Sequence, residues 1–139
     1  MIEYNYNLNF QLENEEQISL WIKKTIRNYG FSLGEISYNF FSDEDLWKIN
    51  MEFLNHDFYT DIISFDYKMG KQINGEIFIS IDRVRENALS FSNPFEEELH
   101  RVIIHGILHF CGVKDGTEEE EELMRKAEDR ALEELSDLM

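Results

Sequence analysis

The sequence predicts an α+β fold in which a single mixed four-stranded sheet is packed with about five helices. Two periodicities indicate this. Some short stretches alternate apolar and polar residues or are rich in β-branched and aromatic residues, which is typical of strands. In other stretches, apolar residues recur every three to four positions, as on a helix with one buried face. Strand-like and helix-like stretches both occur in the first half of the chain, and further helix-like stretches follow. This order favours one sheet covered by helices.

The first half of the chain begins with a strand over residues 2–10, where apolar and polar side chains alternate. A helix starts at Glu15 and is closed by Gly30. A second alternating strand covers residues 36–40. Ser42 is a good N-cap for the next helix, which continues to Phe53, because the three acidic residues after it favour the positive end of a helix dipole.

The second half contains a hairpin and three further helices. Asn93 and Pro94 are expected to start the central helix, as a cap followed by proline at the first turn. Thr117 and Glu120 form the pattern of a capping box, which starts the last helix. The segments before the central helix are a polar loop at 54–60, a strand at 61–66, a turn at 68–74, a strand at 75–81 and a helix at 82–90.

Length and cysteine content place limits on the kind of protein. The 139 residues predict one domain over residues 1–139, and a 42% hydrophobic content is enough for a core. The single cysteine, Cys111, cannot form an internal disulfide, which fits a reducing compartment. Neither a signal peptide nor an apolar run of membrane-spanning length is present. The expected location is therefore the cytoplasm.

The formal net charge of −16 argues against tight binding of a bulk polyanion, because nucleic-acid affinity comes largely from lysine and arginine. The charge is unevenly distributed, however. Many acidic residues lie from position 118 onwards, including five consecutive glutamates at 118–122, whereas most of the lysines and arginines lie earlier. This run is most simply the solvated start of a helix. Net charge therefore does not exclude a local basic groove.

The central helix carries the strongest functional pattern, His105-x3-His109-x5-Asp115. Residues four apart share one face of a helix, so both imidazoles can point to one place. Gly112 can end the helix and reverse the chain, which can bring Asp115 back towards them. Two nitrogens and one carboxylate oxygen make a three-ligand metal site with a position left for water. The alternative is a pair of core histidines bonded to the backbone or to water.

This spacing echoes the metzincin protease signature H-E-x-x-H-x-x-G-x-x-H, with two departures. Gly106 stands where those proteases have the general-base glutamate, and Asp115 stands where they have the third histidine. Peptide hydrolysis by that route is therefore not expected. Gly106 indicates close packing of the helix against the sheet, or against a bulky substrate. Water bound to a metal held by His105, His109 and Asp115 could still attack a phosphodiester.

Three segments in register resemble the YbeY family of rRNA-maturation endoribonucleases. His105-Gly106-Ile107-Leu108-His109-Phe110-Cys111-Gly112 resembles the family signature H-G-x-L-H-x-x-G. Thr60-Asp61-Ile62-Ile63-Ser64-Phe65 is similar to its T-D-V-L-S-F segment, and Gly75-Glu76-Ile77-Phe78-Ile79-Ser80 to its G-D-I-x-I-S segment.

The resemblance implies a metal-dependent, single-strand-specific endoribonuclease that acts in rRNA maturation, at the 16S 3′ end, and in ribosome quality control. It also implies a zincin-like central helix that holds one Zn²⁺ per chain through His105, His109 and Asp115, although another divalent ion could replace zinc. The implied partners are rRNA, the small ribosomal subunit and its assembly proteins, with neither DNA nor a membrane.

Two positions differ from the family pattern. The family usually has a third histidine where this chain has Asp115, and a carboxylate there would raise the pKa of bound water and relax the preference for zinc. Many members have an arginine thought to contact RNA at the position of Leu54. That role is not transferred to Leu54; His56 or a lysine elsewhere is a candidate to replace it.

Other polar residues near the motifs allow two interpretations each. Asp61 and Ser64 more simply brace the strand than take part in catalysis. His56 lies in a polar loop and is either a phosphate contact or an ordinary surface histidine. Glu76 is either a carboxylate behind the metal ligands or a surface residue at a strand edge.

Two further residues are not expected to bind metal. His100 lies five residues before His105 and hence about 140° away around the helix axis. Cys111 lies two residues after His109 and points elsewhere, so we expect it to pack in the core.

Two other function classes remain open from the sequence. One is a metal hydrolase of another class, such as a metallopeptidase, and the missing glutamate at Gly106 counts against it. The other is a non-catalytic ribosome assembly factor stabilised by a metal. An open coordination position would separate an enzyme from a scaffold, because structural zinc sites usually have four protein ligands.

Overall fold

The computed structural model describes all residues from 1 to 139 and has the predicted architecture, one mixed four-stranded sheet with five helices. The predicted α+β class is therefore confirmed. None of the helices combines the length and the apolar composition needed to cross a bilayer. The elements in chain order are β1 Ile2–Tyr6, α1 Glu15–Asn28, β2 Ser32–Phe41, α2 Asp43–Leu54, β3 Ile62–Asp66, β4 Gln72–Ser80, α3 Ile81–Ser90, α4 Phe95–Phe110 and α5 Glu118–Leu138.

The strands lie in the order β1-β2-β4-β3. β2 pairs in parallel with both β1 and β4, whereas β3 and β4 pair antiparallel as the predicted hairpin. Strand β3 is thus one edge of the sheet. Residues alternating along β2 and β4 are fully buried in one core with residues of α1 and α4. The hydroxyl of Tyr38 on β2 donates to the carbonyl of Ile103 on α4, at 2.9 Å, and ties this helix to the sheet.

Some predicted boundaries are wrong. β1 ends at Tyr6, not at residue 10, because its pairing with β2 ends there, although Leu8 and Phe10 still pack against the core. β2 and β4 begin earlier than expected, since Ser32 pairs with Gln72 ahead of an irregularity in the register.

Side chains cap the ends of several helices. The predicted caps at Ser42 and in the Thr117–Glu120 capping box are both present. Ser80 caps α3, which the sequence analysis did not predict. Asn93 is not the cap of α4: Pro94 occupies that position, and no side chain bonds to the first turn.

Gly106 lies where α4 approaches the β3–β4 hairpin. A Cβ atom at this position would lie 3.0 Å from Cδ1 of Ile77 and 3.2 Å from Cδ1 of Ile62, which is tighter than ordinary van der Waals contact. Of the two reasons expected for this glycine, close packing against the sheet is therefore the one that the structure provides. The contact holds α4 near the edge of the sheet.

We expect Gly106→Val to lower the free energy of unfolding by about 2–3 kcal/mol, because the added carbons overpack the contact with Ile77 and Ile62. Lys126→Val, which introduces the same side chain on the exposed face of α5, should cost only about 0.5 kcal/mol of helix propensity. Urea denaturation measures both values. Equal losses in the two variants would contradict the packing argument.

Candidate metal centre

The last turns of α4 and the loop after it bring together three side chains that could bind a metal. The imidazoles of His105 and His109 lie 4.7 Å apart between ring centroids. Gly112 adopts a φ of +94°, which reverses the chain after the helix. Asp115 then lies with its Oδ2 atom 3.3 Å from Nε2 of His105 and 3.2 Å from Nε2 of His109. The juxtaposition expected from the spacing is therefore present.

The geometry of these three side chains fits a divalent ion. One donor atom from each lies within 4.8 Å of the others. Ligands about 2.0–2.1 Å from a tetrahedral ion are separated by roughly 3.3 Å, close to the distances between the two imidazoles and Asp115. All three side chains are partly exposed. A bound ion would therefore have three protein ligands and a side open to solvent.

Glu128 on α5 orients the first of the two histidines. Its Oε2 atom lies 2.6 Å from Nδ1 of His105, and its side chain is buried. A carboxylate at this distance accepts a hydrogen bond from the Nδ1–H group, so that in the neutral imidazole the lone pair lies on Nε2, which faces Asp115. Carboxylates commonly hold metal-binding histidines in this way. Glu128 thus lies directly behind the candidate ligand set.

Arg101 in turn holds Glu128. Its guanidinium donates to Oε1 of Glu128 at 2.9 Å and to Oδ1 of Asp129 at 2.7 Å. Both Arg101 and Glu128 are buried, and together they join α4 to α5. The buried guanidinium thus compensates the negative charge of the carboxylate that orients His105.

Neither Arg101 nor Glu128 was predicted from the sequence, although two patterns in the chain point to the pair. Arg101 lies four residues before His105, and hence on the same face of α4. Glu128 lies four residues after Met124 and three before Ala131, at a position of the buried stripe of α5 that ought to be apolar. A charged residue on a buried helix face indicates a partner on the neighbouring element.

The charges around His105 change its pKa. Burial alone would lower the value, but the hydrogen bond and charge of Glu128, with the charges of Asp115 and Asp61, outweigh burial and raise the pKa above its ordinary value. The metal-free site therefore retains a proton on His105 to higher pH than a free imidazole does.

Asp61 lines a cleft of about 360 Å³ together with His105 and Asp115. It precedes β3 rather than lying within it. Its Oδ2 atom accepts from Nδ2 of Asn87 at 3.3 Å, and its carbonyl accepts from the amide of Ser80 at 2.9 Å. Burial raises the pKa of the Asp61 carboxyl. These bonds brace the start of the edge strand.

His100 and Cys111 lie outside the cluster, as expected. His100 packs edge-on against Trp21, and burial lowers its pKa. Cys111 is a buried free cysteine, and burial raises the pKa of its thiol to about 11. Neither side chain belongs to the group that could hold a metal.

The remaining candidates are also separate from the three ligands. Glu76 accepts a hydrogen bond from the hydroxyl of Tyr67, at 3.0 Å, so the carboxylate behind the ligands is not Glu76 but Glu128. His56 lies in the loop after α2, with its ring stacked on Phe58. Ser64 is exposed on the edge strand β3.

The chain matches known proteins over nearly its whole length. The sequence model of the family described as Endoribonuclease YbeY matches residues 3–136. The chain is 51% identical over 132 residues to the Endoribonuclease YbeY of Flavobacterium psychrophilum, covering 95% of this chain and 94% of that protein. It is 52% identical over 112 residues to the Endoribonuclease YbeY of Bacteroides thetaiotaomicron, covering 81% of this chain and 82% of that protein.

A solved structure is similar in fold. The solution structure of TM1509 from Thermotoga maritima has a TM-score of 0.67 and 25% sequence identity, covering 99% of this chain and 93% of that one. The similar fold, the match of the family model to residues 3–136 and the identity to relatives of the same length all indicate the same family. The chain belongs to the YbeY endoribonuclease family.

Proposed function

We propose that this protein is a metal-dependent endoribonuclease that cleaves single-stranded segments of rRNA during 16S 3′ end maturation and ribosome quality control. The single observation that carries the metal-dependent chemistry is the convergence of His105, His109 and Asp115. The names of the relatives support the substrate class. We propose zinc as the ion, the cytoplasm as the location, and the small ribosomal subunit with its assembly proteins as partners.

Several features of the site favour an enzyme over a structural metal centre. Structural zinc sites are usually closed by four protein ligands, whereas this cluster offers three. Gly106 stands where a metallopeptidase has its general-base glutamate. The missing carboxylate favours a phosphodiester over a peptide bond as the target. The proposed site therefore supports hydrolysis of a phosphodiester.

Each residue has a distinct role in this proposal. His105, His109 and Asp115 would hold the ion. A bound ion would lower the pKa of its water and compensate the negative charge of the phosphate. Glu128 accepts a hydrogen bond from Nδ1–H of His105, which keeps the Nε2 lone pair free for the ion. Arg101 keeps Glu128 in place, through the buried ion pair between the helices.

The ligand assignment predicts the metal content of variants. We expect the purified protein to contain about one divalent ion per chain, and His109→Ala and Asp115→Ala to lose most of it, because two donors hold an ion weakly. Asp115→His replaces the carboxylate with the usual residue of the family and should retain the ion. Elemental analysis measures the content, with His56→Ala as a control outside the cluster.

RNA cleavage by the same proteins tests the activity. Of the wild type and the variants at His109 and Asp115, only the wild type and Asp115→His should cleave a single-stranded rRNA fragment. If His109→Ala retained all of its metal, the assignment of these ligands would be wrong. A wild type that binds metal and leaves every RNA intact would instead indicate a structural metal in an assembly factor.

Glu128 is expected to control how tightly the ion binds. Glu128→Gln should weaken zinc affinity about 10- to 100-fold, as for other residues that orient a metal-binding histidine. Asp129→Asn is the matched control, because Asp129 bonds to Arg101 but not to His105. Competition with a chromophoric chelator measures both affinities. A weaker effect of Glu128→Gln than of Asp129→Asn would contradict the assigned role.

Zinc affinity should also depend on pH, because a proton and the ion compete for Nε2 of His105. The pKa of His105 is raised above its ordinary value of 6.5, so affinity should begin to fall while the pH is still above 6.5. Below that raised pKa the loss should approach about tenfold per pH unit for one proton. Glu128→Gln removes the charge that raises the pKa and should move the fall to lower pH. Chelator titrations at several pH values measure this dependence, and a wild-type affinity that is constant down to 6.5 would contradict it.

A further inference from the structure

The clefts that open directly beside the candidate metal centre are acidic. The cleft of about 360 Å³ contains four carboxylates, from Asp61, Glu98, Asp115 and Glu128, and two arginines. A neighbouring cleft of about 450 Å³ contains five carboxylates, because three exposed glutamates of α5 join Asp115 and Glu128, and one arginine. An RNA strand that followed either cleft would place its phosphates against an excess of like charge.

A third cleft, of about 260 Å³, contains no carboxylate. It lies between the end of α2, the loop of residues 55–60 and the edge strand β3, and His56, Phe58, Thr60 and Ser64 are among its lining residues. Ile62 lines this cleft and also the acidic cleft that contains His105 and Asp115. The acid-free cleft, as we name it, therefore adjoins the candidate metal centre.

Two exposed aromatic rings form one wall of the acid-free cleft. The rings of His56 and Phe58 are stacked, with centroids 5.2 Å apart and planes inclined by 19°. Phe58 remains 54% exposed although its ring is stacked on His56. Exposed aromatic rings are the platforms on which proteins stack the bases of single-stranded nucleic acids.

The loop that carries these rings is held in place. The side-chain amide of Asn50, a buried residue, donates to the carbonyl of Phe58 at 2.9 Å, and the amide of His56 donates to the carbonyl of Asn50 at 3.1 Å. Asp57, the one acidic residue of the loop, accepts from the indole of Trp47 at 3.0 Å and does not line the cleft. The stack is thus pre-formed, and no carboxylate lines the cleft that it faces.

We propose that the acid-free cleft binds the bases of the single-stranded RNA next to the cleavage point, stacked against the His56–Phe58 pair. This inference rests on the proposed ribonuclease function. It places the strand along the end of α2 and the edge strand β3, away from the glutamates of α5. Base stacking contributes binding energy that does not depend on a broad basic face.

The test compares two phenylalanines of similar exposure. Phe58→Ala should weaken binding of a fluorescein-labelled single-stranded oligouridylate about 5-fold or more, the loss expected for one stacked base. Phe91 is 59% exposed and lines the acidic cleft, so Phe91→Ala should change the affinity less than about 2-fold. Fluorescence anisotropy measures both affinities, with oligonucleotide integrity checked by gel electrophoresis.

A second pair of variants tests the importance of charge. His56→Glu and His56→Gln both remove the ring, but only the first introduces a carboxylate into the acid-free cleft. His56→Glu should therefore bind the oligouridylate about 3-fold or more weakly than His56→Gln at low salt, and the difference should shrink at high salt. Unchanged metal content and melting temperature in each variant show that the fold and the metal centre are intact.

The outcomes separate this inference from the proposed function. If the wild type cleaves RNA but Phe91→Ala weakens binding as much as Phe58→Ala, the strand follows the acidic cleft and the inference is wrong. Equal affinities of His56→Glu and His56→Gln would also overturn it. A wild type that neither binds nor cleaves single-stranded RNA would reject the proposed function together with the inference.

Discussion

The contact between α4 and α5 at Arg101, Glu128 and His105 is the interaction on which the candidate metal centre depends. A buried carboxylate is unfavourable unless it is paired, and here it has a guanidinium on one side and an imidazole on the other. The same contact joins α4, which carries two of the candidate metal ligands, to α5. α5 is fixed a second time where the indole of Trp21 donates to the carbonyl of Ala131, at 2.7 Å. The packing of α5 and the orientation of His105 therefore depend on the same contact.

Much of the fold and part of the site could be predicted from local patterns. Periodicity and composition together identified every helix and strand, and the helical spacing of His105 and His109, followed by Gly112, predicted how Asp115 would return to them. These features depend on residues close in sequence. Glu128 lies 23 residues from His105, and the ring of His56 meets the cleft only because β3 lies at the sheet edge. Such placements depend on how the elements pack, which local periodicity does not describe.

The structure also changes the meaning of the net charge. On the sequence alone, −16 argued against binding of a polyanion. In the folded chain, the glutamates at 118–122 belong to the first turns of α5, on one side of the candidate metal centre. The loop after α2, on another side, contributes two aromatic rings and no carboxylate to its cleft. The distribution of charge around the centre therefore matters more for an RNA strand than the total.

The position of Glu128 near the end of the chain has a consequence for biosynthesis. A nascent chain that has reached the loop after α4 already contains His105, His109 and Asp115, but nothing yet compensates Arg101 or accepts the proton of His105. The orienting contact forms only after α5 has left the ribosome and docked. Translation therefore has to pass residue 128 before the candidate metal centre is complete, and a product truncated before α5 would contain all three candidate ligands without an oriented His105.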